Sequence, residues 1–121
     1  MMWKVKQSLL IDLCNSAQRY YPDEFLCFFG GNSKKMEITE IVFLPTQTDQ
    51  TSASIMETNI PFDPDILGSV HSHPNSNGTP STADKKFFSK YKVNAIIGYP
   101  FTVQNIRFYD SKSKLIQVII E

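Results

Sequence analysis

The stretch Ile66-Leu67-Gly68-Ser69-Val70-His71-Ser72-His73-Pro74, followed directly by Asn75-Ser76-Asn77-Gly78-Thr79-Pro80-Ser81-Thr82-Ala83-Asp84, decides how the chain is read. Residues 66–73 read as a strand, and Pro74 ends it because proline has no N–H to give a ladder. Residues 75–79 are turn chemistry, rich in Asn, Ser and Gly. Residues 80–91 then read as a helix. The strand carries both of the chain's histidines, His71 and His73. Side chains at i and i+2 of a strand share a face, so two imidazoles at this spacing can converge on one ion. A solvated strand end would also accommodate the pair, and spacing alone leaves both readings open.

The helix that follows favours the ion. Pro80 suits the first helical position, where its missing N–H costs nothing, with Thr79 as N-cap. Asp84 then falls in the second turn, three, four and seven residues before Phe87, Phe88 and Tyr91, on their apolar stripe. A carboxylate there is costly to desolvate unless it finds a cation or several donors. The competing account is a capping box, Ser81-x-x-Asp84, with the helix starting later at Ser81. Because the Thr79 start explains the proline and leaves the Ser81 hydroxyl free, it is the start expected here.

Working outward, Val5, Leu9, Leu10, Leu13, Ala17 and Tyr20 recur at helical spacing, so 5–20 is expected to be an amphipathic helix stopped by Pro22. Glu24-Phe25-Leu26-Cys27-Phe28-Phe29 is apolar on both faces after its first residue and closed by Gly30-Gly31, as in a fully buried strand. Residues 36–44 alternate through Ile38, Glu40, Val42 and Leu44 and should pair with it across a turn at 30–35. Residues 46–54 are polar and aperiodic, a surface loop, and 55–60 form a short edge strand. Strands are also expected at 93–99, 103–109 and 115–120. Without a repeat, a low-complexity tract or a linker, residues 1–121 make a single domain.

Composition narrows the function classes. The chain has 121 residues, 41% of them apolar and 20% charged, which excludes collagen, coiled coil and disordered tail. Twelve basic and twelve acidic side chains cancel, and the pI is about 6.7, so the clustered positive charge that nucleic acid or an anionic membrane wants is missing. No window reaches the roughly 18 apolar residues of a membrane span. Lys4 and Lys6 followed by an apolar stretch that Asp12 interrupts, with no small-residue cleavage site, do not make a secretory signal, so a cytoplasmic location is expected. Two cysteines cannot form a four-cysteine zinc cage, and Cys14 and Cys27 read as buried small apolar residues, able to pair only if the helix crosses that strand closely. Among zinc architectures, the absence of His-Glu-x-x-His and of Cys-x-x-Cys excludes zincins and nucleoside deaminases. Two His and one carboxylate leave the fourth position of a zinc ion open, as catalytic sites do.

His71-Ser72-His73-Pro74 followed by Pro80-Ser81-Thr82-Ala83-Asp84 resembles the signature of the JAMM (MPN+) metalloproteases: His-Ser/Thr-His-Pro, seven residues counted from that proline, then Ser-x-x-Asp. Every defining position is filled. The resemblance implies an α/β fold, a curved mixed β-sheet flanked by helices (the JAB1/MPN, cytidine deaminase-like arrangement). It also implies one zinc ion held by His71, His73 and Asp84 with water as fourth ligand, Glu24 as general base and Ser81 steadying the oxyanion. Glu24-Phe25-Leu26-Cys27-Phe28-Phe29-Gly30-Gly31 is similar to the family's glutamate-led strand, except that Cys27 stands where many members have glycine.

By the same resemblance the substrates are conjugates of ubiquitin-like small modifiers or sulfur-carrier proteins, cleaved after a C-terminal glycine. From the balanced charge and the lack of a membrane span, neither nucleic acid nor membrane is expected as a partner. The modifier's tail would add as a strand along 52–60. Two other classes stand beside this one: a non-catalytic MPN-type protein-binding module, such as metal-free relatives provide, and a DNA-repair-associated JAB-domain protein.

Overall fold

The computed structural model describes residues 2–43, 66–74 and 79–121. Its strands are β1 (Lys4–Val5), β2 (Leu26–Asn32), β3 (Glu37–Val42), β4 (Ile66–His73), β5 (Val93–Gly98), β6 (Ile106–Tyr109), β7 (Leu115–Ile116) and β8 (Ile119–Ile120). The helices are α1 (Gln7–Tyr20) and α2 (Thr82–Phe88), with a 3-10 turn at Val103–Asn105. The sequence-expected loop at 46–54, the edge strand at 55–60, the docking edge at 52–60 and most of the 75–79 turn lie outside the described residues.

Among the described residues, eight strands join one sheet in the order β7-β6-β5-β4-β2-β3-β1-β8. The pairs β4–β5, β1–β3 and β1–β8 are parallel and the others antiparallel, so the sheet is mixed. Among the described residues its two outermost strands are β7 and β8, separated in the chain only by Gln117 and Val118. A strand advances only about 3.4 Å per residue, so those edges can be joined this way only if the sheet curls round towards itself. The curved mixed sheet flanked by helices is therefore the observed fold.

The expected strand at 115–120 is thus two strands on opposite edges, and the expected helix at 5–20 loses its first two residues. Val5 lies at helical spacing from Leu9, but it belongs to β1, opposite Ile38 on one side and Ile120 on the other. Burial makes the two readings alike in sequence, since Val5 in β1 is only 2% exposed and so is apolar like the buried face of the helix. Lys6 caps α1 without a side-chain bond, and the Gln7 N–H is instead satisfied by the Glu121 carbonyl at 2.9 Å.

The sheet's central strands read as buried runs because both their faces are covered. On one face α1 sets Leu10, Leu13, Cys14 and Ala17 against Phe29, Val70, Ala95 and Phe108. On the other, Phe88 of α2 packs with Ile96 and Tyr109. Gly30 and Gly31 do not close β2 as expected; they lie inside it, where the register slips against both neighbours. A Cβ on Gly31 would collide with the Glu37 carbonyl oxygen, so β3 comes this close only to glycine. The strand expected at 103–109 begins late because its first residues form the 3-10 turn.

Candidate metal centre

β4 is flanked by antiparallel β2 and parallel β5, and its residues are buried from Leu67 to Ser72. His71 pairs with Leu26 of β2 and with Ile96 of β5, so the whole row across three strands is fixed by ladder bonds. His73, two residues on, shares its face and lies at the carboxyl end of the strand, 15% of its side chain exposed. Their Nε2 atoms are 3.0 Å apart. The His71 ring is fully buried against Phe88, at 5.9 Å between centroids.

α2 enters over the same end of the sheet. The expected start at Thr79 is corrected: Ser81 is the N-cap, its Oγ accepting from the Asp84 N–H at 3.1 Å, while Asp84 Oδ2 accepts from the Ser81 N–H at 2.8 Å. This is the complete capping box, which satisfies two orphan donors reciprocally, and Pro80 stays outside the helix. The Ser81 hydroxyl is therefore not free. As an acceptor it nevertheless keeps one O–H to donate.

The cap and the ligand reading of Asp84, opposed on sequence, are compatible in the structure. The carboxylate has enough lone pairs for both: Oδ1 is 3.1 Å from His71 Nε2, and Oδ2 is 3.1 Å from His73 Nε2 as well as capping Ser81. As expected, Asp84 shares the buried face with Phe87 and Phe88. Burial pushes its carboxyl up, but hydrogen bonds from His71 and His73, the charge of His71 and the Ser81 N–H outweigh it. The net effect holds Asp84 well below the usual carboxylate range.

His71, His73 and Asp84 thus form a cluster whose ligand atoms all lie within 4.8 Å of one another. Zinc bonds of about 2.0–2.1 Å in a tetrahedron put neighbouring ligand atoms about 3.3 Å apart. The two histidine nitrogens, 3.0 Å apart, lie close to that edge, and each Asp84 oxygen lies 3.1 Å from one of them. One carboxylate among two imidazoles gives a donor set of the hardness and charge that a divalent ion takes. The residues present fit the group. His71 Nδ1 is buried with no hydrogen-bond partner among the described residues, so packing holds that ring rather than the acceptor usual for a metal-bound histidine.

Glu24 is not in β2, which begins at Leu26; it is exposed, one residue before Phe25. Phe25 is still tied to β4, with the Ser72 N–H donating to its carbonyl at 2.9 Å. Continuing the Leu26↔His71 register by two residues puts Glu24 opposite His73. Cys14 and Cys27 are free and buried, as read from the sequence.

Sequence reading missed Asn94. Its side chain accepts from Ser69 Oγ at 2.6 Å and donates to the Phe88 and Tyr91 carbonyls at 3.4 and 3.3 Å. It thereby ties the carboxyl end of α2 to β4 and β5. The signal was available in one polar residue inside the apolar run Val93-Asn94-Ala95-Ile96-Ile97, since a buried amide must find partners.

A curled mixed sheet with two imidazoles on a central strand and a carboxylate from the next helix defines a metal-binding JAB-type domain. The chain belongs to the prokaryotic homologs of the JAB domain, whose family model matches residues 6–112. A probable metalloprotease of Haloferax volcanii is 33% identical over 104 residues, a match covering 78% of this chain and 65% of that relative's length. Among solved structures, one reported as a JAMM metalloprotease-like zinc site in the proteasome and signalosome is similar with a TM-score of 0.77 and 24% identity, covering 100% of this chain and 99% of that one. A JAB1/MPN domain protein from Archaeoglobus fulgidus is similar with a TM-score of 0.76 and 23% identity, covering 98% and 96%. Among the described residues, no helix is long and apolar enough to cross a membrane.

Proposed function

We propose that the protein is a zinc-dependent peptidase that hydrolyses the peptide or isopeptide bond after the C-terminal glycine of a ubiquitin-like modifier or sulfur-carrier protein. The observation that carries this is the convergence of His71, His73 and Asp84. Membership of the JAB-domain family and the probable metalloprotease of Haloferax volcanii support the reaction class. The JAMM resemblance of the motif supports the substrate class.

His71 Nε2, His73 Nε2 and an Asp84 oxygen would hold the ion, and the capping box fixes the Asp84 carboxylate beforehand. A zinc ion there would supply Lewis acidity towards water and a carbonyl. Glu24 is the general base: its carboxylate takes a proton from the attacking water and returns it to the leaving nitrogen as the C–N bond breaks. The Ser81 O–H donates to the carbonyl oxygen as that atom gathers charge. The products are a free glycine carboxylate and a protonated amine, which together carry both protons of the one water consumed.

The test is metal analysis of the purified protein together with cleavage of a panel of modifier fusions, linear and lysine-linked, before chelation, after it, and after zinc is restored. Cleavage after glycine that chelation abolishes and zinc restores is expected. Cleavage indifferent to chelation, or none on any fusion by zinc-loaded protein, would overturn the proposal.

A further inference from the structure

The segment that carries Glu24 is fastened to β4 through one hydroxyl. In a regular antiparallel pair of the hydrogen-bonded type, the two residues exchange both N–H···O=C bonds. Phe25 and Ser72 make only half of that exchange. The Ser72 N–H donates to the Phe25 carbonyl at 2.9 Å, but the Phe25 N–H donates to Ser72 Oγ at 2.8 Å. The regular β2–β4 ladder ends one pair earlier, at Leu26↔His71. The path of the chain at residues 24–25 therefore depends on the side chain at position 72.

Ser72 is fully buried between the two histidines in sequence, and alternation along β4 turns it to the opposite face from them. Phe25 is on that same α1 face, 2% exposed in the main core and 5.2 Å from the Tyr20 ring. Continued one residue past Phe25, the same alternation would put Glu24 on the face of His71, His73 and Asp84. We infer that Ser72 is a positioning residue, its Oγ holding the Phe25 N–H so that the Glu24 carboxylate is presented to the metal centre. This rests on the peptidase reading above and extends it to a residue that touches neither metal nor substrate. Loss of the hydroxyl releases the Phe25 amide and lets the glutamate drift, and displacement by about 1 Å can cost on the order of 100-fold in rate.

The experiment compares the full chain with Ser72→Ala and Ser72→Thr, all zinc-loaded, by three measurements. These are zinc affinity by chelator competition, hydrogen exchange of the Phe25 amide, and kcat and KM on a sulfur-carrier protein fused through its C-terminal glycine. Ser72→Ala is expected to keep zinc affinity within about 3-fold and KM within about 3-fold, to lose Phe25 amide protection, and to lose about 10- to 100-fold in kcat. Ser72→Thr keeps the hydroxyl and restores both protection and kcat. An alanine variant with undiminished kcat, or one whose activity falls only in step with its zinc content, would overturn the role of Ser72. If the alanine variant does not fold, a folded, zinc-loaded Ser72→Thr protein with kcat well below wild type overturns it equally. A zinc-loaded wild type that cleaves nothing overturns the peptidase reading instead, which separates the two failures.

Discussion

Asp84 carries two loads, and each variant of its surroundings separates them differently. One oxygen caps α2 while both approach histidine nitrogens, so the side chain is rigid before any ion arrives. Ser81→Ala removes the reciprocal cap and should cost about 1 kcal/mol of stability. The same change removes the O–H donor and should lower kcat about 100- to 1,000-fold. So small a stability loss leaves the protein folded, and kcat falling no further than the folded fraction, measured by thermal melts beside steady-state kinetics, would deny Ser81 its chemical role. Glu24→Gln should keep full zinc content and lose about 100- to 10,000-fold in kcat, since the amide cannot take the proton. Wild-type turnover in that variant would remove Glu24 from the mechanism. The histidine pair and Asp84 were legible in the sequence because alternation on a strand and helical spacing are short-range rules. The start of the helix was misread because Pro80 fits a first helical position, and nothing local shows that Ser81 and Asp84 bond each other rather than Thr79 capping.

At the scale of elements, the centre depends on α2 standing at one height over β4. This helix is seven residues long, too short to be stable alone, so its ends must be tied. The capping box ties one end and Asn94, through the Phe88 and Tyr91 carbonyls, ties the other. Asn94→Ala should take their side-chain partner from the Tyr91 carbonyl and Ser69, while the Phe88 carbonyl keeps the Tyr91 N–H at 3.0 Å, costing about 1–3 kcal/mol. By loosening Asp84 it should also weaken zinc binding about 10- to 100-fold, as loss of supporting partners does elsewhere. Chelator competition at a temperature where the variant is fully folded measures this, and unchanged affinity would show that the cap alone places Asp84. Most elements were legible in the sequence, because apolar period and proline punctuation mark them. Two of the exceptions share one cause, long-range pairing. Val5 belongs to β1, and residues 115–120 divide between opposite edges, because the partners that decide this lie far along the chain.

The molecule as a whole is a sheet curled until its edges are joined through two residues, with α1 and α2 on its two faces. The burial that holds it also governs its thiols: Cys14 is pushed up from near 9.0 to about 11, and Cys27 is raised still further. Unfolded thiols ionise near pH 8.5 while the folded ones keep their protons. Their contribution to stability is thus complete below about pH 8.5 and is lost as pH climbs towards 11. The melting temperature should fall between about pH 8 and pH 10.5, less steeply when both cysteines are replaced by alanine, and equal slopes would contradict this. The curved mixed sheet followed from the motif's resemblance to a known family, whereas its closure through β7 and β8 depends on pairings that no local pattern encodes. The most direct measurement on the whole account is a zinc titration of the metal-stripped chain by calorimetry, beside His73→Ala and Asp84→Ala. One equivalent bound by wild type and lost in both variants is the predicted result. No binding by the wild type, or binding undiminished in either variant, would contradict the claim that these three side chains hold the ion.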